Sequence, residues 1–99
     1  GSDDATLILL PLSITSTLPL LRGVQRLLGR PVLSHSDAVI KDVAEQLKLD
    51  LQGLLDAWLL KRGQISPGPH EVPRLFDRYL QAATLLTRAV EQLPQSEQR

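Results

Sequence analysis

From Val72 to Leu93 apolar residues recur at alternating steps of four and three: Val72, Phe76, Tyr79, Ala83, Leu86, Val90 and Leu93. Only an α-helix gathers that spacing into one continuous seam. Leu75, Ala82 and Ala89 widen the seam on one side and Leu80 widens it on the other. Pro73 suits a first turn and Pro94 stops the chain after the last, so the spacing predicts a helix from Glu71 or Val72 to Leu93. A helix of that length with an apolar face must find partners of its own kind in a chain of 99 residues.

The rest of the chain supplies them. Thr17 to Leu28 reads as a helix entered through a Ser/Thr cluster and stopped by Gly29 and Pro31, with Leu20, Leu21, Val24, Leu27 and Leu28 as its buried stripe. The cluster Ser34-His35-Ser36-Asp37 reads as the cap of a helix to Leu47 that carries Ile40, Val43, Ala44 and Leu47 on one face. Asp50 caps a further helix to about Arg62, in which Leu51, Leu54, Leu55 and Trp58 repeat the pattern and Gly63 ends it. Residues 64–70, with two prolines and a glycine, form a loop. Residues 5–15 are ambiguous: Asp3 and Asp4 suit a helix cap, whereas Pro11, Ile14 and Thr15 favour an irregular or extended strip packed on the core.

The expected fold is therefore all-α, a compact bundle of four or five helices with the long C-terminal helix as its spine. Its core is aliphatic, since 42% of residues are hydrophobic but only 3% aromatic. Residues 5–93 read as one helical domain. Residues 1–4 read as a tag remnant with an acidic lead-in, which with the missing initiator Met predicts a piece of a longer protein, and 94–99 as a solvated tail. The apolar run 7–14 is short of the ~20 residues that span a bilayer. Nothing assigns a compartment, so a soluble chain with the cytoplasm as default is the expectation.

Eleven basic and eleven acidic residues cancel, so no strong pull toward nucleic acid or anionic lipid is built in. Without cysteine, thiolate metal sites, disulfides and cysteine nucleophiles are excluded. His35 and His70 lie in separate turns with no spacing that suits a metal, and no glycine-rich phosphate loop or nucleophile-base pair occurs. The reading is that the chain is not an enzyme and holds no cofactor or metal. An acyl carrier domain is set aside because the chain lacks the acidic balance and the DSL-type serine of such domains.

Residues 40–60, two short helices around a tight turn, resemble a helix-turn-helix: Val43 and Ala44 sit inside the first helix, Leu49 in the turn and Leu54 at the docking point of the second. The resemblance implies contact with DNA through residues 40–62. Lys48 replaces the usual turn glycine, and the second helix offers Leu51, Gln52, Gly53, Leu55 and Asp56, of which Gln52 alone suits a base edge. Arg22, Arg26 and Arg30, recurring every four residues, and the pair Lys61 and Arg62 are the candidate phosphate contacts, or else the solvated faces of amphipathic helices.

The leading expectation is a non-catalytic protein-interaction or oligomerisation module whose partner is another protein or a second copy of itself. It rests on apolar residues in excess of one core's needs. Leu60 falls opposite the Leu51/Leu54/Leu55/Trp58 face and Leu59 on its flank, while Leu80 and Leu85 mark opposite edges of the last helix's apolar arc. Either these helices are covered on two sides within the domain, or Leu59, Leu60, Leu80 and Leu85 meet a partner.

Overall fold

A computed structural model describes the backbone of residues 2–93 and the side chains from Ile8 onward. The chain forms four helices, α1 (Ser2–Leu27), α2 (Ser36–Leu47), α3 (Gln52–Lys61) and α4 (Val72–Glu91), with no strand among the described residues. The backbone of residues 2–4 belongs to α1. The side chains of Asp3 and Asp4 and the tail 94–99 lie outside the described residues.

The main departure from expectation is α1. Residues 5–15 and 17–28 are not an irregular strip and a separate helix but one helix of 26 residues that runs through Pro11 and Pro19. Each interior proline costs about 3 kcal/mol, through a missing N–H and a ring that crowds the carbonyl four residues back. Leu10, Ile14, Leu18, Leu21 and Val24 are all buried along one stripe that passes both prolines. Burying each contributes roughly 1.5–3 kcal/mol, so the stripe outweighs the two breaks. The Ser/Thr cluster is not a cap: Thr15, Ser16 and Thr17 donate their hydroxyls to the carbonyls of Pro11, Leu12 and Ser13 at 2.9, 3.4 and 2.9 Å.

The other boundaries follow their sequence signals closely. Gly29 (φ 70°) and Gly63 (φ 71°) end α1 and α3 in left-handed turns, with Arg30 N–H bonding the Gln25 carbonyl at 2.9 Å and Gln64 N–H the Leu59 carbonyl at 2.9 Å. Asp50 does hold the start of α3, its Oδ1 accepting from Gln52 N–H at 3.1 Å. At α2 the side-chain cap does not form: His35 occupies the cap position with extended backbone and no side-chain cap bond. The loop before α4 is closed by Glu71, whose carboxylate accepts from Gly68 N–H at 2.8 Å while its own N–H bonds the Gly68 carbonyl.

Both α1 and α3 pack against all three other helices, whereas α2 and α4 barely meet. The spine is thus the α1/α3 pair rather than α4. This explains why α3 is apolar almost all round: Leu51, Gly53, Leu54, Asp56 and Ala57 are buried, and Leu55, Trp58, Leu59 and Leu60 are half-buried. The core joins the α1 stripe to Val39, Ile40 and Val43 of α2, to Leu51, Leu54 and Ala57, and to Leu75, Tyr79, Ala82 and Leu86 of α4. A polar tie between Thr17 Oγ1 and Tyr79 Oη at 3.1 Å joins α1 to α4 inside it.

Candidate interaction surface

Two of the three recurring arginines, Arg22 in α1 and Arg30 just after it, are committed to the fold. Arg22 Nη1 donates to the Leu33 carbonyl at 2.8 Å, pinning the loop after α1. Arg30 grips Asp42 of α2, with Nη2 2.9 Å from Oδ1 and Nε at 3.2 and 3.3 Å from the two carboxylate oxygens. The buried Gln25 amide donates to the same carboxylate at 2.8 Å. Arg26 alone of the three is exposed, its side chain making no hydrogen bond or ion pair among the described residues. Lys61 and Arg62 lie 5.3 and 5.9 Å from the Trp58 ring centroid, so both cations rest over its face.

Hydrogen bonds from Arg30 and then Gln25 hold the Asp42 carboxyl below its ordinary value of 3.8, and the same bond raises Arg30. A depressed carboxylate contributes stability that is complete above the unfolded value and is lost as pH falls through the folded one. The melting-temperature gap between the wild type and Asp42→Asn should therefore be constant from about pH 7 to about pH 5 and close below about pH 4. A gap that is unchanged at acid pH would show that the carboxylate's charge is not what secures this corner.

Between α2 and α3 the backbone makes a tight left-handed turn of the kind that ends many helices. Lys48 adopts φ 55°, ψ 47°, the conformation a glycine there would supply, and Leu49 N–H closes the turn on the Ala44 carbonyl at 2.9 Å. The start of α3 is otherwise occupied. Gly53 lies against the backbone of Arg78 and Tyr79 in α4. The Gln52 side chain, the sole base-edge donor there, gives its amide to Asp56 Oδ1 at 2.9 Å. Asp56 Oδ2 in turn lies 2.7 Å from Arg78 Nη2 as an ion pair, without a directed hydrogen bond.

Among the four leucines read as surplus, Leu60 packs against the core and Leu59 is half-buried, because α3 is central. Leu80 (47% exposed) and Leu85 (37%) remain on the surface of α4, where with Gln81 and Thr84 they line a shallow apolar depression. Phe76, placed in the seam by spacing, is exposed beside Leu80, as the buried face is centred on Leu75, Tyr79, Ala82 and Leu86.

The larger apolar surface is on α1 and was not legible in the sequence. Ile8, Leu9, Leu12, Leu20 and Leu27 are between 42% and 63% exposed and lie on the outward side of the helix, away from the buried stripe, with the exposed Ser16, Pro19 and Arg26 among them. Leu20 and Leu27 are thus corrected from core to surface. The signal was present as a run without any charged residue from 5 to 21, but it becomes a face only once α1 is one helix. Among the described residues no group of His, Cys, Asp and Glu is placed to hold a metal, and no helix is long and apolar enough to cross a membrane. No protein family, characterised protein or solved structure matches the chain.

Proposed function

We propose that this chain is a non-catalytic helical interaction module that binds a protein partner, another chain or a second copy, through apolar helix-to-helix contact. The observation that carries this reading is the outward face of α1, five exposed aliphatic side chains on one helix. Interfaces draw their energy from a few desolvated apolar anchors, and exposed aliphatic side chains gathered on one side of a helix supply candidates. Leu80 and Leu85 on α4 are a second, smaller candidate anchor.

Nucleic acid fits less well, because Arg22 and Arg30 are engaged within the fold and the start of α3 is packed on α4. The reading is tested by two measurements. Fluorescence anisotropy of a labelled DNA duplex should show no binding whose affinity falls steeply between about 50 and about 200 mM salt, the mark of phosphate contact. Leu80→Glu and Leu20→Glu should leave the melting temperature nearly unchanged, since each side chain is already largely in water. Steeply salt-dependent binding, or unfolding by both substitutions, would sink the proposal.

A further inference from the structure

We propose that the cleft at the C-terminal end of α1 binds a single phosphoryl group carried on a side chain of the partner protein; this rests on the interaction reading above and states what chemistry the partner brings. Arg22, Arg26 and Arg30, with Gln25, Pro31 and Val32, line a cleft of about 60 Å³. At ~30 Å³ for each water in the liquid, that is room for one small oxyanion, whereas pockets for whole organic ligands run from roughly 300 to 1,000 Å³. The ligand therefore places one group inside and keeps its body outside, where Val32 stands 92% exposed on the rim as an apolar contact.

Engagement in the fold does not exhaust the arginines, because a guanidinium carries five N–H donors. Arg22 donates through Nη1 to the Leu33 carbonyl, and Arg30 through Nε and Nη2 to Asp42. Nε and Nη2 of Arg22 and Nη1 of Arg30 stay unspent among the described residues. Those bonds also fix the two guanidiniums in advance, so binding loses little of their side-chain freedom. Arg26 is exposed, one helical turn from Arg22, and can close on the group. The end of a helix ordinarily repels an anion through its free carbonyls. Here the carbonyls of Val24, Gln25 and Arg26 accept from the N–H groups of Leu28, Arg30 and Gly29.

Charge selects a phosphoryl group over a carboxylate. Three guanidiniums line the cleft and one carboxylate, Asp42, is bonded to them, an excess of two positive charges. Glu45, also within electrostatic reach of Arg30, does not line the cleft. A phosphorylated side chain carries about −1.5 to −2 and offers three acceptor oxygens. A carboxylate takes one planar fork, as Asp42 already does with Arg30. Anionic membranes are recognised by clusters of about four to eight basic residues, more than this cleft gathers in a chain of zero net charge.

The full chain is titrated with N-acetyl-O-phosphoserine amide at about pH 7.5 and about 150 mM salt, with arginine Nε–H and backbone amide resonances followed by NMR. Saturable shifts are expected within residues 22–33, with a dissociation constant near or below about 1 mM. N-acetyl-aspartate amide should bind at least about tenfold more weakly. Arg26→Gln should weaken phosphoserine binding by about tenfold at an unchanged melting temperature, since Arg26 holds nothing in the fold, and Arg22→Gln should weaken it too. Inorganic phosphate should displace phosphoserine from the same residues, whereas vesicles of phosphatidylcholine with phosphatidic acid should not co-sediment the chain. Absence of saturable shifts, equal affinity for the aspartate compound, an Arg26→Gln variant that binds like the wild type, or co-sedimentation with the vesicles would overturn the proposal. The apolar contact is tested separately, by the Leu20 and Leu80 variants and the DNA titration.

Discussion

Gly53→Ala should cost about 3 kcal/mol, a large fraction of the roughly 5–15 kcal/mol that holds a domain of this kind together. Helix propensity alone gives the opposite sign, since replacing an interior helical glycine by alanine gains roughly 0.8–1 kcal/mol. The difference lies in what the added methyl meets. A Cβ at Gly53 overlaps the carbonyl group of Arg78 and comes within 2.7 Å of the Tyr79 amide nitrogen. These are backbone atoms in the middle of α4, so no rotamer change relieves the contact and one helix must shift against the other. That shift would disturb Leu54, Tyr79 and Ala82, all buried nearby in the joint core. The close approach exists because position 53 has no side chain. Chemical denaturation followed by circular dichroism checks this, and a gain of about 1 kcal/mol would mean that α3 and α4 stand further apart than described.

The same glycine shows which parts of this fold are readable from sequence. Helix ends were legible where a residue's chemistry acts locally: Gly29, Gly63, Asp50 and Pro73 each end or begin a helix as their side chains or backbone freedom dictate. Gly53 in α3 looks locally like a propensity defect, and only the partner helix reveals its use. Pro11 and Pro19 mislead in the opposite direction, being local breakers overridden by a stripe whose value depends on packing 40 to 70 residues away in sequence. Leu60 belongs to the same class. A helix wheel places it outside the α3 stripe, but a short helix with neighbours on three sides has no outside there. The candidate surface on α1 is hidden in the sequence for the same reason, since an exposed face is defined only after the buried one is known.

Leu86→Ala should cost about 2–5 kcal/mol, whereas its neighbour Leu85→Ala should cost less than about 1 kcal/mol. Leu86 is 1% exposed at the junction of α4 with the core, and its truncation leaves a cavity that rigid helical neighbours fill only in part. Leu85 is 37% exposed, at the edge of the depression it shares with Leu80, so truncation removes contacts already open to water. The two substitutions are chemically identical and adjacent, so helix propensity and unfolded-state effects nearly cancel between them. What remains is the rotation of α4 about its own axis. A turn of one residue, about 100°, would exchange the two roles and invert the ranking, bringing Arg78 and Gln81 inward and carrying Tyr79, with its bond to Thr17, toward solvent. Urea midpoints compared at constant slope measure the difference directly. Equal losses for the two variants would show that α4 has no fixed rotational register against α1 and α3, and the seam from Val72 to Leu93 would then be a preference for helix without a unique packing.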